Sequence, residues 1–165
     1  MGTYFMMSFR FNKQYPQDFG LTKINHDIAF NPVDNSKWQA KLLYDFGWGK
    51  ENGYCKLPIP DFTKLLDIIL NSENNEDVYG ATAIILDMYS EELLDKCEQL
   101  INSDIQSKAL KKISALFNLE NPINRCNIEQ KSYEQIRADF ERWKKISEAI
   151  KKNNQGRTIR GRFYD

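Results

Sequence analysis

Residues 61–118 read DFTKLLDIILNSENNEDVYGATAIILDMYSEELLDKCEQLINSDIQSKALKKISALFN, and a spacing of sixteen runs through them. Phe62, Leu65 and Ile69 form an i, i+3, i+7 set. Val78, Ala81 and Ile85 repeat it sixteen residues on, as do Leu94, Cys97 and Ile101, and then Leu110, Ile113 and Phe117. Residues so spaced share a narrow stripe on one side of a helix. Leu66, Ile84, Leu93, Leu100, Ala109 and Leu116 widen the stripes to the breadth of a buried face. Polar breaks separate them: Asn71 to Asn75, Ser90 with Glu91 and Glu92 behind it, and Asn102-Ser103-Asp104. The pattern predicts four helices of about 12 residues, stacked as antiparallel α-hairpins or gathered into a bundle.

The flanks differ from the repeat. Phe5, Met7, Phe9 and Phe11 alternate as on one side of a strand. The apolar run Trp38 to Trp48 is followed by Asn52-Gly53, a pair that favours a hairpin turn because both residues tolerate positive φ. Pro58 and Pro60 end that region, and Asp61 caps the first repeat helix. After the turn-rich Asn121-Pro122, Ser132 with Gln135 forms a capping box that opens a long helix over 130–152. Its buried seam is Tyr133, Ile136, Phe140, Trp143, Ile146 and Ile150, with Gly156 as a stop signal. Residues 153–165 read as a basic tail. The chain therefore reads as one domain, 1–165, mainly α: a short HEAT-like helical stack with a small N-terminal β-hairpin region (1–60) and a long C-terminal helix. An α+β arrangement is the alternative.

Composition narrows the function classes. The 165 residues carry 23 Lys+Arg, 23 Asp+Glu and one histidine. The neutral total hides a pattern. Residues 1–60 hold 7 basic and 5 acidic side chains (+2), 61–104 hold 2 and 11 (−9), and 105–165 hold 14 and 7 (+7). No apolar run approaches the roughly 18 residues of a membrane span. No secretory signal opens the chain. Cys55, Cys97 and Cys126 are an odd number without a CxxC pair, as expected of free thiols in a reducing, cytoplasmic compartment. Cys97 falls on a buried stripe; Cys55 and Cys126 lie near turns, where a side chain can be exposed, and nothing nearby marks either as activated. No phosphate-loop motif and no metal-ligand spacing occur, so neither cofactor nor metal is expected. His26-Asp27 is the one His–carboxylate pair, and adjacent residues seldom point at one place. The expectation is no enzyme.

Three surfaces could carry binding. Asp87, Glu91, Glu92, Asp95 and Glu98 flank the turn between the second and third repeat helices, with Lys96 the only nearby cation in sequence. They are the leading candidate site, for a basic protein partner. Trp48 and Asn52 form a second candidate in the hairpin region. Arg157, Arg160 and Arg162, followed by Phe163 and Tyr164, combine cations with stacking rings. Those elements serve nucleic-acid binding, but the zero net charge argues against it.

The segment Glu76 to Leu86, followed by Tyr89 to Leu94, resembles the HEAT-type helical repeats of immunity proteins from bacterial toxin–immunity and toxin–antitoxin systems. The resemblance covers residues 61–118. It implies a non-catalytic protein that binds and neutralises a cognate toxin, and it assigns no individual residue a role. An adaptor or regulatory scaffold, or a nucleic-acid-associated protein using the basic C-terminal end, are the alternatives.

Overall fold

A computed structural model describes residues 2–10 and 12–161, with side chains described as far as residue 155. Among the described residues there are five strands and five α-helices. The strands are β1 (Phe5–Met7), β2 (Thr22–Lys23), β3 (Ile28–Phe30), β4 (Lys37–Asp45) and β5 (Lys50–Lys56). The helices are α1 (Phe62–Asn71), α2 (Asn75–Met88), α3 (Ser90–Asp104), α4 (Lys108–Phe117) and α5 (Tyr133–Gly161). The strands make one antiparallel sheet in the order β1-β5-β4-β3-β2.

The protein is thus α+β, not a mainly α HEAT-like stack with a small β-hairpin. The chain divides into two compact units, Met1–Ile85 and Leu86–Asp165, and the division falls inside the last turn of α2. The sixteen-residue register crosses it. Phe62 through Ile85 belong to the first unit, and Leu94 through Phe117 to the second. Ten of the twelve register residues are buried, with Phe62 and Ile101 partly so. Periodicity records that a face is covered and is silent about what covers it.

In the first unit, the sheet escapes a period-two reading because apolar side chains point to both of its faces. Phe5, Met6 and Met7 are consecutive, and all are buried. Met6, Phe19, Leu21, Ala29, Trp38 and Tyr54 form a cluster. Phe5, on the opposite face from Met6, meets α2 at Gly80, where any Cβ would collide with its ring. A strand covered on both faces loses its alternation and reads as a short apolar run.

Asn52-Gly53 is not the hairpin turn. Both residues lie inside β5, opposite Leu42 and Lys41. Gly53 is required by close approach, since a Cβ there would strike the Met6 carbonyl and the Leu43 side chain. The turn is Phe46 to Gly49, where Gly47 and Gly49 take φ of 102° and 115°. Asp45 Oδ1 accepts from the amides of Gly47 (2.7 Å) and Gly49 (3.0 Å).

The start of α2 closes the outer edge of β1. Asp77 Oδ1 accepts from the amides of Tyr4 (2.7 Å) and Phe5 (3.0 Å), and Oδ2 from Thr3 (2.9 Å). Glu76 accepts from Gly2 and Met7. An open strand edge invites pairing with another chain, and side-chain acceptors on its N–H groups remove the invitation.

The second unit is helical. Leu93, Leu94 and Cys97 of α3, Leu110, Ile113 and Phe117 of α4, and Trp143, Ile146 and Ile150 of α5 are among its buried residues. Arg125 acts as a clasp beyond α4. Its guanidinium donates to the carbonyls of Phe117, Asn118, Asn121 and Ile123 and lies 5.0 Å from the Trp143 ring centroid.

Local signals fare unevenly. Asp61 caps α1 by accepting from the Lys64 amide (2.8 Å), and Ser132 with Gln135 makes the reciprocal capping box. Asn102-Ser103-Asp104 is no turn, because α3 runs through it. The final helix does not stop near 152; its backbone continues to Gly161, so Arg157 and Arg160 are helical and 153–161 is not a separate tail. Tyr133, expected in the seam, is 75% exposed.

Candidate protein-binding surface

The acidic candidates are all in the second unit. Glu91, Asp95 and Glu98 fall at i, i+4 and i+7 of α3, so they share one side of it. Leu93, Leu94 and Cys97 turn inward, as the stripe requires. Asp87, in the last turn of α2, and Glu92 are exposed.

Two cations of distant sequence meet this ridge. Arg142 of α5 donates through Nε and Nη2 to Glu98 (2.9 and 2.6 Å) and through Nη2 to Asp95 (2.6 Å). Lys131 Nζ lies 2.6 Å from Glu91 Oε1 and 2.6 Å from Asp139 Oδ2. Sequence reading placed only Lys96 nearby, and Lys96 turns to Gln99 instead. Lys131 and Arg142 lie 40 to 47 positions away from their α3 partners, beyond the reach of any local pattern.

The pairs shift the protonation equilibria in the expected directions. The hydrogen bond from Lys131 holds the Glu91 carboxyl below its ordinary range. Partial burial alone would lower Lys131, but its bonds to Asp139 and Glu91 outweigh that and raise it. Arg142 is raised by Glu98 first and Asp95 second. Glu91, Lys131 and Arg142 are therefore held in their charged forms at neutral pH. Each cation serves two carboxylates. Around these two cations four carboxylates are held, an excess of two negative charges.

Trp48, on the hairpin turn, is 50% exposed. It belongs to an aromatic group in the first unit. Its ring stacks on Phe46 at 5.4 Å, and Phe46 also contacts Phe9, Tyr44 and Tyr79. Asn52 is half-buried in β5, where its carbonyl accepts from the Ser8 amide (2.9 Å). Arg162, Phe163 and Tyr164 lie outside the described residues.

The cysteines near turns are not exposed; all three are buried. Burial pushes the Cys55 and Cys97 thiols up to about 12, and raises Cys126. His26 Nδ1 and Asp27 Oδ1 are 2.7 Å apart on an exposed turn between β2 and β3. Among the described residues, no three His, Cys, Asp or Glu side chains gather as they would around a metal ion. No helix among them is long and apolar enough to cross a membrane. Comparison with protein-family models, with curated proteins and with solved structures gives no match.

Proposed function

We propose that the chain is a non-catalytic protein-binding module that docks a basic partner on the α3 ridge, and that it acts as an immunity protein neutralising a bacterial toxin. The observation that supports this reading is the two-to-one ratio of carboxylates to cations at Arg142 and Lys131. The cations hold Glu91, Asp95 and Glu98 in place without cancelling them. An ordered anionic surface loses little side-chain entropy when it meets a cationic one, and its field accelerates encounter. A toxin that acts on nucleic acid carries a basic, phosphate-binding face, and such a ridge would compete with phosphate for it.

The test is kinetic. Glu91→Lys, Glu92→Lys and Asp95→Lys together leave the circular dichroism spectrum unchanged. They slow association with the product of a neighbouring toxin-type reading frame by about tenfold at low salt. The defect shrinks as ionic strength shortens the Debye length. Association that responds neither to the reversal nor to salt removes the ridge from the interface.

A further inference from the structure

The first unit holds a corner of different chemistry that shares no residue with the ridge. Phe9 and Arg10 follow β1 with φ of 41° and 58°, two successive non-glycine residues in the left-handed region. Each such residue is disfavoured by contact of Cβ with the backbone. What holds them is Glu51, fully buried in β5. Its Oε1 accepts from the Arg10 amide (2.6 Å) and from Trp48 Nε1 (2.7 Å), and its Oε2 from Ser8 Oγ (2.8 Å). A buried carboxylate is costly unless its lone pairs are used, and here they bond the strained loop and the hairpin turn.

The consequence is that the Arg10 backbone and the Trp48 ring are held side by side at the surface. The Trp48 N–H is taken by Glu51, so the ring cannot turn away, and half of it remains open to solvent. The Arg10 guanidinium lies 5.9 Å from its centroid. Among the described residues Arg10 has no carboxylate partner, in contrast to Arg142. Lys50, at the start of β5, is exposed and stands opposite Asp45 in the sheet. Asp45 across the turn has its Oδ1 engaged by the amides of Gly47 and Gly49. Backbone strain held by a buried charge belongs with presentation of a site more than with stability, because a glycine at either position would relieve it.

We propose that Arg10 and Trp48 form a docking site for a partner protein segment that sets a carboxylate beside an aromatic or aliphatic side chain. The guanidinium takes the carboxylate through paired N–H donors, and the exposed indole covers the apolar neighbour. A single arginine, anchored through its backbone amide, matches one carboxylate. A nucleic-acid strand would need cations repeated along a groove.

Trp48 is its own reporter, since Trp38 and Trp143 are 2% and 0% exposed. The probes are the capped tripeptide Glu-Phe-Glu, its Gln-Phe-Gln analogue, and oligothymidylate, titrated against the full chain while Trp48 emission and acrylamide quenching are followed. The acidic peptide saturably protects Trp48, the amide analogue does not, and Arg10→Gln weakens the acidic peptide by about tenfold. Lys151→Gln, in the second unit, leaves it unchanged. An equal response to both peptides, an equal response in Arg10→Gln with its dichroism spectrum unaltered, or no saturation overturns the proposal. Stronger protection by oligothymidylate also overturns it, in favour of nucleic acid.

Discussion

Asp77 and Glu51 in the first unit and Glu91, Asp95 and Glu98 in the second are all acids, yet they are used in opposite ways. The first two are 3% and 0% exposed and bond only to neutral N–H and O–H groups among their described hydrogen bonds. The other three stay at the surface and meet Lys131 and Arg142. A carboxylate inside must satisfy backbone donors that no water can reach, so it builds the fold. A carboxylate outside is nearly neutral for stability, because water screens the pair. The excess of carboxylates around Lys131 and Arg142 can therefore serve a partner, whereas the two buried acids of the first unit are committed to the fold.

The largest expected effect lies at Asp77. Asp77→Ala leaves the amides of Thr3, Tyr4 and the buried Phe5 without their acceptor and costs about 3 kcal/mol or more, read as a lowered urea midpoint. Asp77→Asn keeps one acceptor oxygen and costs less. A loss at Asp77 no bigger than at Glu91 would break the contrast between interior and surface acids.

Arg125 sharpens the contrast from within the second unit. It is a half-buried cation bonded to four carbonyls and, among the described residues, to no carboxylate. Arg125→Ala is expected to cost about 2 kcal/mol in thermal unfolding, although it removes no ion pair. A neutral outcome would mean that burial of charge is not the deciding variable.

Smaller again is Lys131→Met, at about 1 kcal/mol or less. Its signature is the pH dependence. The Glu91 carboxyl is held below its ordinary value of 4.5, so the stability it contributes is complete above that pH. It is lost as pH falls through the depressed folded value, because the unfolded chain then binds the proton first. Lys131→Met should flatten that acid limb, as should Glu91→Gln. An unchanged limb would show that the pair carries no free energy.

What could be read in advance follows the range of the forces. The caps at Asp61 and Ser132 and the buried stripes of α1 to α4 depend on neighbours within a turn or two, and all were legible. The same locality misled at Asn52-Gly53. A two-residue signal for positive φ cannot be told from a glycine admitted because Met6 and Leu43 crowd it. At Gly156 a stop signal was overridden by a helix that continues to Gly161. Of the candidate site, the side of α3 bearing Glu91, Asp95 and Glu98 was legible, because helical spacing alone puts them together.

By itself the sequence determined that residues 61–118 form four helices, which of their stripes turn inward, and which stretch is acidic. These follow from backbone geometry and the cost of leaving apolar surface in water. Only the tertiary structure decided that the sixteen-residue register is shared between two units, that three short strands and two longer ones close into a sheet, and that Arg142 and Lys131 stand among the acids of α3. It alone put Glu51 beneath Arg10 and Trp48. Strand pairing and ion pairing join residues tens of positions apart, and their free energy depends on geometry that no local spacing encodes.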